Sequence, residues 1–426
     1  MDFKLIIKRN LLSIIIVLFL LYLFLLAYNI NSIGLLVGDE KVYRSSVFSL
    51  LDGKIDNNNH PLLAKTIWYY FVYIFSGITG IYKPIFYRLG TILFSIGSLL
   101  VFYKIARVFF SKTISFLCVI LLAIDPMFFT FSRLLQLDIP ALFFLLSSIY
   151  YYLKYLDGKK LKLFYVSGIF LGLSLAAKLS AVLLIPLFPL LFMIFNQGKN
   201  LKLREIAKIN FLFLTFLSLA FTIGNGIFFF KKTSIGFAEF IYRLFNSQIG
   251  GVINLSGYLH SPAWTWFTIP QILTLYRVPQ GESVMSIIAF ANPLITIFTL
   301  ISLVASMIFI LRKGILKQKK QSFLVMVFSL LYLPWFFNLH ATFYYYIIPL
   351  IPMAIIMFLL LIRKTKIKLQ LLASTILVSI IIFAIYYPLL VGIKVPRSYD
   401  VRLYSFSLYR FNNTDTIFCQ QCYPRK

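Results

Sequence analysis

The sequence predicts an all-α membrane protein that crosses the bilayer many times, and three observations lead to this fold class. Hydrophobic residues make up 60% of the 426 residues and charged residues only 13%, so a water-soluble core of this length cannot hide the apolar surface. Apolar segments of about 20 residues, the length that a helix needs to cross the hydrocarbon, recur along the chain. These segments are continuously apolar and do not alternate, which favours helices over a β-barrel.

Eleven apolar segments are predicted to be transmembrane helices. They are residues 11–30, 85–103, 113–131, 137–153, 163–177, 180–196, 209–230, 286–311, 321–337, 343–362 and 369–390. The first has basic flanks like a signal peptide, but it is longer than the roughly 7 to 15 residues of a signal h-region and lacks a small-residue cleavage site. We therefore expect it to be a retained anchor.

The connections between these helices are basic on one side of the membrane. Alternate connections read "KIARVFFSK", "KYLDGKKLK", "NQGKNLKLREIAK", "LRKGILKQKK" and "IRKTKIK". With Lys4, Lys8 and Arg9 they hold 23 of the 41 Lys and Arg residues, against three of the 13 acids. The positive-inside rule places these connections and the N-terminus in the cytoplasm, and the C-terminus outside. Most of the net charge of +28 therefore comes from residues that orient the protein in the membrane. A nucleic-acid partner is not expected.

The outer face is expected to carry two long loops, at about residues 31–84 and 231–285. Within the first loop, "TIWYYFVYIFSG" is apolar and aromatic but too short to span the bilayer, which predicts a helix lying in the interface. The second loop contains two Trp near a membrane boundary, where tryptophan is enriched. We expect residues 1–390 to form one membrane-embedded domain and residues 391–426 a short outer tail.

The first outer loop contains the candidate catalytic residues. Its stretch "GDEKVYRSSVFSLLDGKIDNNNHPLLAK" places Asp39 and Glu40 side by side. The three histidines of the chain, His60, His260 and His340, all fall on the outer side in the predicted topology. Polar residues collect wherever a chain meets water, yet three histidines together with a carboxylate pair favour a functional site.

Four further charged residues lie at membrane depth near the outer boundary: Arg88, Arg133, Asp138 and Lys178. A charge inside hydrocarbon costs several kcal/mol, so such residues usually face a watery cavity or a partner. Snorkelling to the lipid headgroups is the alternative, above all for Lys178. Bases that converge on an outer cavity suit a phosphate group, because guanidinium and ammonium groups neutralise its oxygens.

Together these features fit a membrane enzyme that takes a sugar from a lipid phosphate and passes it to a hydroxyl group. One carboxylate would remove the proton from the acceptor as the glycosidic bond forms. The bases would stabilise the phosphate as it leaves. Adjacent residues in a turn or an extended segment point in different directions, so one acid of the pair is expected to do the chemistry.

Six segments resemble the protein O-mannosyltransferase family, whose members use polyprenyl (dolichyl) phosphate mannose. They are the loop quoted above, "YRLGTILFSIG", "FSRLLQLDIPALFF", "AAKLSAVLLIP", "SPAWTWFTIPQ" and "YLPWFFNLHATFYYYIIPLIP". Their order is kept over most of residues 38–355. The resemblance implies a GT-C-like membrane glycosyltransferase that needs no metal or other cofactor. Leu62 and Ala64 replace a proline and a glycine of the family pattern, and the late outer loop is too short for the extra module of eukaryotic members, so a prokaryotic-type member is expected.

The resemblance also implies roles for single residues. Asp39 would deprotonate a Ser or Thr hydroxyl during a single displacement that inverts the anomeric centre, and Glu40 would support it. Arg88 would hold the donor, whereas His60 and Lys65 would shape the site. The other expected substrate-binding residues are Arg133, Asp138, Lys178, His260 and Tyr345.

Two alternatives to a protein O-mannosyltransferase stay open from the sequence. A related enzyme that moves a pentose or hexose to a lipid or glycan would share the acidic loop and the helices. A transporter should instead place ionisable groups in mid-helix beside discontinuous Gly or Pro segments, and the acids here cluster in an outer loop. An oligosaccharyltransferase is disfavoured because the chain lacks a Trp-Trp-Asp motif; its nearest stretch is Trp264-Thr265-Trp266.

The expected partners are a polyprenyl-phosphate sugar, a protein, glycan or lipid acceptor, and the lipid bilayer; self- or hetero-association is left open. The predicted location is the plasma membrane, with the active site on the extracytoplasmic side. Cys118 is expected to be a packing residue, whereas Cys419 and Cys422 form either a disulfide or free thiols. Sequons at Asn254 and Asn412 lie on the outer side as well.

Overall fold

A computed structural model describes residues 3–31, 37–56, 59–197, 201–230, 233–250, 261–337, 342–363, 365 and 367–404. Within these residues the chain forms sixteen α-helices and three β-strands. The helices are α1 Phe3–Ala27, α2 Glu40–Leu51, α3 Leu63–Thr79, α4 Pro84–Phe109, α5 Lys112–Ala123, α6 Pro126–Ser132, α7 Asp138–Gly158, α8 Leu161–Ala177, α9 Leu184–Phe195, α10 Leu203–Gly226, α11 Phe237–Gly250, α12 Pro293–Lys313, α13 Lys319–Tyr332, α14 Ile351–Ile362, α15 Lys368–Leu390 and α16 Arg397–Tyr404. The strands are β1 Leu273–Gln280, β2 Ser283–Ala289 and β3 Lys394–Pro396.

Every predicted transmembrane segment overlaps one of these helices. Among the described residues, five helices are long and apolar enough to cross a membrane, namely α4, α7, the helix from Leu203 through Phe230, α12 and α15. The pair α5 and α6 is bent by 68° and makes a sixth candidate if it is one broken span. Shorter apolar helices account for four of the other predicted spans, and the span 321–337 overlaps α13, which is not one of these apolar helices. The count of eleven crossings and their orientation therefore stay predictions.

The expectation of an all-α protein is wrong at one place. β1 and β2 form an antiparallel hairpin through a turn at Gly281, where φ is +65°, and β3 adds to the far edge of β2. Residues 286–289, predicted to begin a transmembrane helix, belong to β2, and helix α12 begins only at Pro293. The run "SVMSIIA" is too short for its apolar character to distinguish a strand from a buried helix.

The first outer loop is largely helical. The predicted helix in "TIWYYFVYIFSG" is present as α3, which ends at Gly80 in the left-handed conformation. α3 buries one face, including Trp68 and Val72, and exposes Tyr73 and Ile78 on the other. This amphipathic pattern agrees with the predicted interfacial position, which itself stays a prediction.

Helices α8 and α10 pack closely because glycines line their contact. A Cβ atom on Gly172 would lie 2.2 Å from the Leu217 carbonyl oxygen, and one on Gly168 would lie 2.9 Å from the Phe213 ring. From the α10 side, a Cβ atom on Gly224 would lie 2.8 Å from Ala176 Cβ. The spacing Gly-x-x-x-Gly is the pattern by which membrane helices bring their backbones together.

The end of the bundle that carries the basic connection "KYLDGKKLK" is closed by aromatic side chains. Tyr152 of α7 stacks on Phe323 of α13 with ring centroids 4.3 Å apart. The Tyr152 hydroxyl donates to the Phe188 carbonyl oxygen at 3.2 Å, and Phe164 stacks on Phe213 at 4.5 Å. An ion pair between Lys320 and Asp157 lies beyond them. Aromatic side chains therefore pack closely around this end of α7.

Candidate active site

Asp39 lies at the N-cap of α2, immediately after Gly38, whose φ of +54° turns the chain. The carboxylate makes no capping hydrogen bond to α2, so it is directed elsewhere. The Tyr345 hydroxyl donates to Asp39 Oδ2 at 3.3 Å, joining residues 306 positions apart. Burial raises the pKa of Asp39 above the usual aspartate range, while the positive charge of Lys178 opposes that rise. A carboxylate in this setting is a better proton acceptor than one in water.

Glu40, although adjacent to Asp39, occupies a separate and completely buried position. Its two oxygens accept hydrogen bonds from Nε and an NH2 nitrogen of Arg88 at 2.7 and 2.6 Å. The backbone N–H groups of Leu135 and Val37 donate to the same carboxylate at 3.1 and 3.3 Å. Four donors occupy the carboxylate, so Glu40 joins the loop to α4 and to the turn before α7. Its contacts make it an anchor for Asp39.

Arg88 and Arg133 both hold the end of α1. The third nitrogen of Arg88 donates to the Ile30 carbonyl oxygen at 2.5 Å, and Arg133 donates to the Tyr28 carbonyl oxygen at 2.6 Å. Both side chains are nearly inaccessible to solvent, at 2% and 3% exposure. Three of the five N–H donors of Arg88 are taken by Glu40 and Ile30, so the expected contact of Arg88 with the donor phosphate stays a prediction.

Asp138 and Lys178 form a second buried ion pair, and this one faces the cleft. Lys178 Nζ lies 2.7 Å from Asp138 Oδ1 and 5.0 Å from the ring centroids of both Tyr345 and Tyr346. Asp138 begins α7, and Lys178 follows the last residue of α8. The helix ends therefore bring these charges beside Asp39, whose pKa is sensitive to both of them.

His60 and Lys65 lie behind this pair, on the loop before α3 and in its first turn. Lys65 Nζ donates to the His60 carbonyl oxygen at 3.2 Å, and the His60 ring contacts Tyr43 edge-on at 5.9 Å. Burial, reinforced by Lys178 and Lys65, lowers the pKa of His60 to about 3. Burial also lowers the pKa of Lys65 to about 7, opposed by Asp56. His60 is thus neutral at physiological pH.

A small cleft lies against the Asp138–Lys178 pair and Tyr346. Its lining consists of the ion pair, one hydroxyl, two aromatic rings and two apolar residues: Asp138, Lys178, Ser180, Leu331, Trp335, Tyr346 and Pro349. Sequence reasoning did not single out Trp335, Tyr346 or Ser180. The segment that contains "FYYYIIP" predicts Tyr345 as a substrate-binding residue, but the pattern does not say which tyrosine faces the cleft.

The remaining predicted site residues are outside the described part of the chain. This holds for His260 and His340, for Cys419 and Cys422, and for both sequons. Cys118 is a buried free thiol, as expected of a packing residue. The described residues contain no group of three or more His, Cys, Asp or Glu side chains arranged to hold a metal ion; a metal-independent reaction stays a prediction.

Comparison with known proteins supports the resemblance that the motifs indicate. Residues 59–228 match the model of the family described as dolichyl-phosphate-mannose-protein mannosyltransferase, which confirms the resemblance over that part of the chain. No curated protein sequence matches the chain. The family match supports a glycosyltransferase.

Solved membrane proteins share the fold. ArnT from Cupriavidus metallidurans bound to undecaprenyl phosphate aligns with a TM-score of 0.57 and 12% identity, over 87% of this chain and 63% of that one. The archaeal oligosaccharyltransferase AglB from Archaeoglobus fulgidus, in complex with an inhibitory peptide and a dolichol-phosphate, aligns with a TM-score of 0.50 and 14% identity, over 93% and 56%. The S. cerevisiae protein O-mannosyltransferase Pmt1-Pmt2 complex bound to the sugar donor gives a TM-score of 0.39 and 17% identity, over 62% and 40%.

This chain thus spans between 40% and 63% of the length of these three chains. The likeness to ArnT and AglB establishes a shared fold at low sequence identity. The GT-C-like helical fold implied by the resemblance is thereby supported, whereas the chemistry must be argued from the site.

Proposed function

We propose that this chain, which matches a family of protein mannosyltransferases, transfers a hexose, most simply mannose, from a polyprenyl-phosphate donor to Ser or Thr hydroxyls of proteins at the outer membrane face. The proposal rests above all on Asp39. Of the two adjacent acids, Glu40 is saturated by four donors, whereas Asp39 has the neutral Tyr345 hydroxyl as its side-chain hydrogen-bond donor.

The proposed reaction is a single displacement. The acceptor hydroxyl gives its proton to the Asp39 carboxylate, its oxygen forms a bond to the anomeric carbon, and the bond from that carbon to the phosphate oxygen breaks. The bonding electrons leave with the polyprenyl phosphate, and the configuration of the sugar is inverted. Burial supports the proton transfer because it raises the pKa of Asp39 towards that of a useful base.

The leaving phosphate needs positive charge that is not already neutralised by the fold. Arg88 forms a buried ion pair with Glu40. Its proposed role is therefore to hold the loop that carries Asp39. His60 feels the charges of both Lys65 and Lys178. A phosphate placed beside His60 would be stabilised by Lys65 in its protonated form and by whatever charge of Lys178 the Asp138 carboxylate leaves unbalanced.

The distribution of charged and aromatic groups disfavours the transporter alternative. The described site charges lie where α4 and α7 begin, at the same end of the bundle as Asp39. Tyr152 lies 14 residues further along α7, about 21 Å away at helical rise, where the aromatic packing closes the bundle. A transporter needs access to its site from both sides, and an enzyme needs only one.

The decisive experiment supplies the purified protein with radiolabelled polyprenyl-phosphate hexoses and two acceptors, a Ser/Thr-rich peptide and a lipid extract. We expect label to move to the peptide and the anomeric configuration to invert. Label that moves to the lipid fraction alone would favour the alternative enzyme that glycosylates a lipid. Retention of configuration would contradict the single displacement. Ion flux in proteoliposomes without transfer would favour a transporter.

A further inference from the structure

Helix α11, at the start of the second long loop, has three sides of different character. Residues three, four and seven positions apart lie on the same side of a helix, so the described side chains of α11 form three stripes. One stripe packs against the protein, one is apolar and at least partly exposed, and one is polar and exposed. In that order the stripes are Phe237, Phe240 and Leu244; Ala238, Ile241, Tyr242 and Phe245; and Glu239, Arg243 and Asn246.

The packed stripe fixes the rotation of α11 about its own axis. Phe240 and Leu244 are completely buried. Phe229, in the 3₁₀ turn that follows α10, contacts the Phe237 ring edge-on at 5.2 Å and the Phe240 ring at 5.8 Å. Because these rings hold one side of α11 against the protein, the apolar stripe faces outward.

The apolar stripe is continuous with the outer surface of α10. Tyr242 is 70% exposed and Phe245 46%, and the Phe245 ring centroid lies 6.5 Å from that of Phe221 in α10. Near Phe221, the α10 side chains of Leu219 and Ile223 are exposed as well. Only 22% of the most apolar window of this span is buried inside the protein, so lipid chains are the expected cover for the rest.

The length and the polar stripe of α11 fit a helix that lies along a membrane. Its 14 residues extend about 21 Å at helical rise, which is short of the roughly 30 Å of hydrocarbon that a span must cross. Glu239 and Arg243 form an ion pair that is about half exposed. A short helix with an apolar side and a charged side lies in the interface, with the apolar side among acyl chains and the charges at the headgroups.

From this arrangement we infer that α11 is a membrane-surface helix whose partner is the bilayer itself, with Tyr242 and Phe245 inserted among the lipids. Its position also bears on the acidic loop. Ser234, just before α11, donates its backbone N–H to the Gly53 carbonyl oxygen at 3.0 Å, and its Oγ accepts from the Ile55 N–H at 3.2 Å. α11 thereby holds the loop that carries Asp39 at a fixed depth relative to the headgroups, whichever sugar or acceptor the protein uses.

Nitroxide labels on single cysteines measure the surroundings of each stripe in the full-length protein in nanodiscs. The four test variants, in a background with the three native cysteines replaced, are Tyr242→Cys, Phe245→Cys, Glu239→Cys and Asn246→Cys. Oxygen, which dissolves in acyl chains, should reach the first two labels better than a water-soluble nickel chelate does, at a depth of about 5 to 10 Å. The other two labels should show the reverse. Leu219→Cys on α10 is the reference for lipid, and Asp52→Cys on α2 is the reference for water.

A second measurement keeps the native cysteines and so does not depend on that background. Phe245→Trp adds a fluorophore to the apolar stripe, and Asn246→Trp adds one to the polar stripe. Lipids brominated in their acyl chains should quench the added emission of Phe245→Trp and leave that of Asn246→Trp nearly unchanged. Equal quenching of the two variants would contradict an oriented insertion.

The link between α11 and the acidic loop is tested by a distance. Nitroxides on Tyr242→Cys and Ser45→Cys, the latter on the exposed side of α2, should give one narrow distance distribution in nanodiscs. A broad distribution would show that α11 does not hold the loop.

Two results of the accessibility measurement would overturn the insertion. Equal access of the nickel chelate to all four α11 labels would place the helix in water. Protection of Tyr242→Cys and Phe245→Cys from both reagents would assign the stripe to a protein contact. That contact would be with a second copy if the protection is lost in nanodiscs that hold one molecule, and within the chain if it persists there.

Discussion

Asp39 and Glu40 share a peptide bond but lie in different environments, because α2 begins between them. Glu40, the first helical residue, turns into the protein and meets Arg88. Asp39, the N-cap residue, takes no part in this ion pair and accepts a hydrogen bond from Tyr345. A helix start thus separates two identical functional groups, so that one can be saturated while the other keeps room for a substrate.

At the residue scale, Asp39→Asn should lower kcat by roughly 10² to 10⁴, because it keeps the side-chain shape and removes the proton acceptor. Binding of the donor lipid should survive, since the amide leaves the cleft intact. Turnover of labelled donor and equilibrium binding measure the two effects separately. Asp52→Asn, an exposed acid at the other end of α2, is the control. Near-normal turnover of folded Asp39→Asn would contradict the role of Asp39 as base.

The environment of Asp39 also predicts how kcat/KM depends on pH. The base must be ionised, so kcat/KM should fall as the pH drops through the pKa of Asp39, and burial places this decline above the pH range of an ordinary aspartate. The Tyr345 hydroxyl favours the ionised form. Tyr345→Phe should therefore move the decline to higher pH and leave the rate at alkaline pH nearly unchanged.

Tyr344→Phe is the matched control for this shift, because the Tyr344 hydroxyl lies against the backbone of Ala291. Its pH profile should coincide with that of the wild type. A decline that stays in place in Tyr345→Phe would show that Asp39 does not control it.

At the scale of helices, the packing of α8 on α10 depends on glycine. Gly172→Ala would place a methyl group 2.2 Å from a backbone oxygen, which the backbone can relieve only by moving the helices apart. We expect a loss of about 1 to 3 kcal/mol, or more, in stability. Gly77→Ala in α3, where nothing lies within 4 Å of the new atom, is the control. Thermal unfolding in detergent compares them, and equal melting temperatures would contradict the close packing.

The ion pair of Glu40 with Arg88 joins the first outer loop to α4. Arg88→Met leaves a buried carboxylate without its charge partner, which typically costs about 3 to 5 kcal/mol. The effect should therefore appear as lost stability, with donor affinity retained in the fraction that stays folded. Arg243→Met breaks the exposed pair with Glu239 and should change stability by less than about 0.5 kcal/mol. Weaker donor binding by stable Arg88→Met protein would instead support the contact between Arg88 and the donor that the resemblance implies.

The helices in uninterrupted apolar runs were predictable because such runs carry their own signal, and α3 was predictable because its run is aromatic but short. Helices α2, α11 and α16 lack such a run and were not predicted. The strand β2 was not, since "SVMSIIA" has a similar apolar character in a strand and in a buried helix. The proposed role of Asp39 comes from its motif. Its contact with Tyr345, and that of Arg88 with Glu40, depend on tertiary packing between residues 306 and 48 positions apart, which no local pattern encodes.

At the scale of the whole molecule, the predicted orientation places the β1–β2 turn outside and the end of α12 inside. Single cysteines at Glu282 and Lys313, both exposed, test this in a background with Cys118, Cys419 and Cys422 replaced. An impermeant maleimide applied to intact cells should label Glu282→Cys, and Lys313→Cys only after permeabilisation. The reverse result would place the candidate site in the cytoplasm and exclude an extracytoplasmic reaction.

Tyr345, which donates a hydrogen bond to Asp39, is synthesised 306 residues after it. By the time Leu135 has been synthesised, the chain contains Glu40 and the two groups that donate to it from outside the acidic loop, the Arg88 guanidinium and the Leu135 backbone N–H. The aromatic residues of the cleft, Trp335 and Tyr346, are synthesised about two hundred residues later. A chain that stops before Tyr345 therefore carries the acidic loop without the hydroxyl that contacts Asp39.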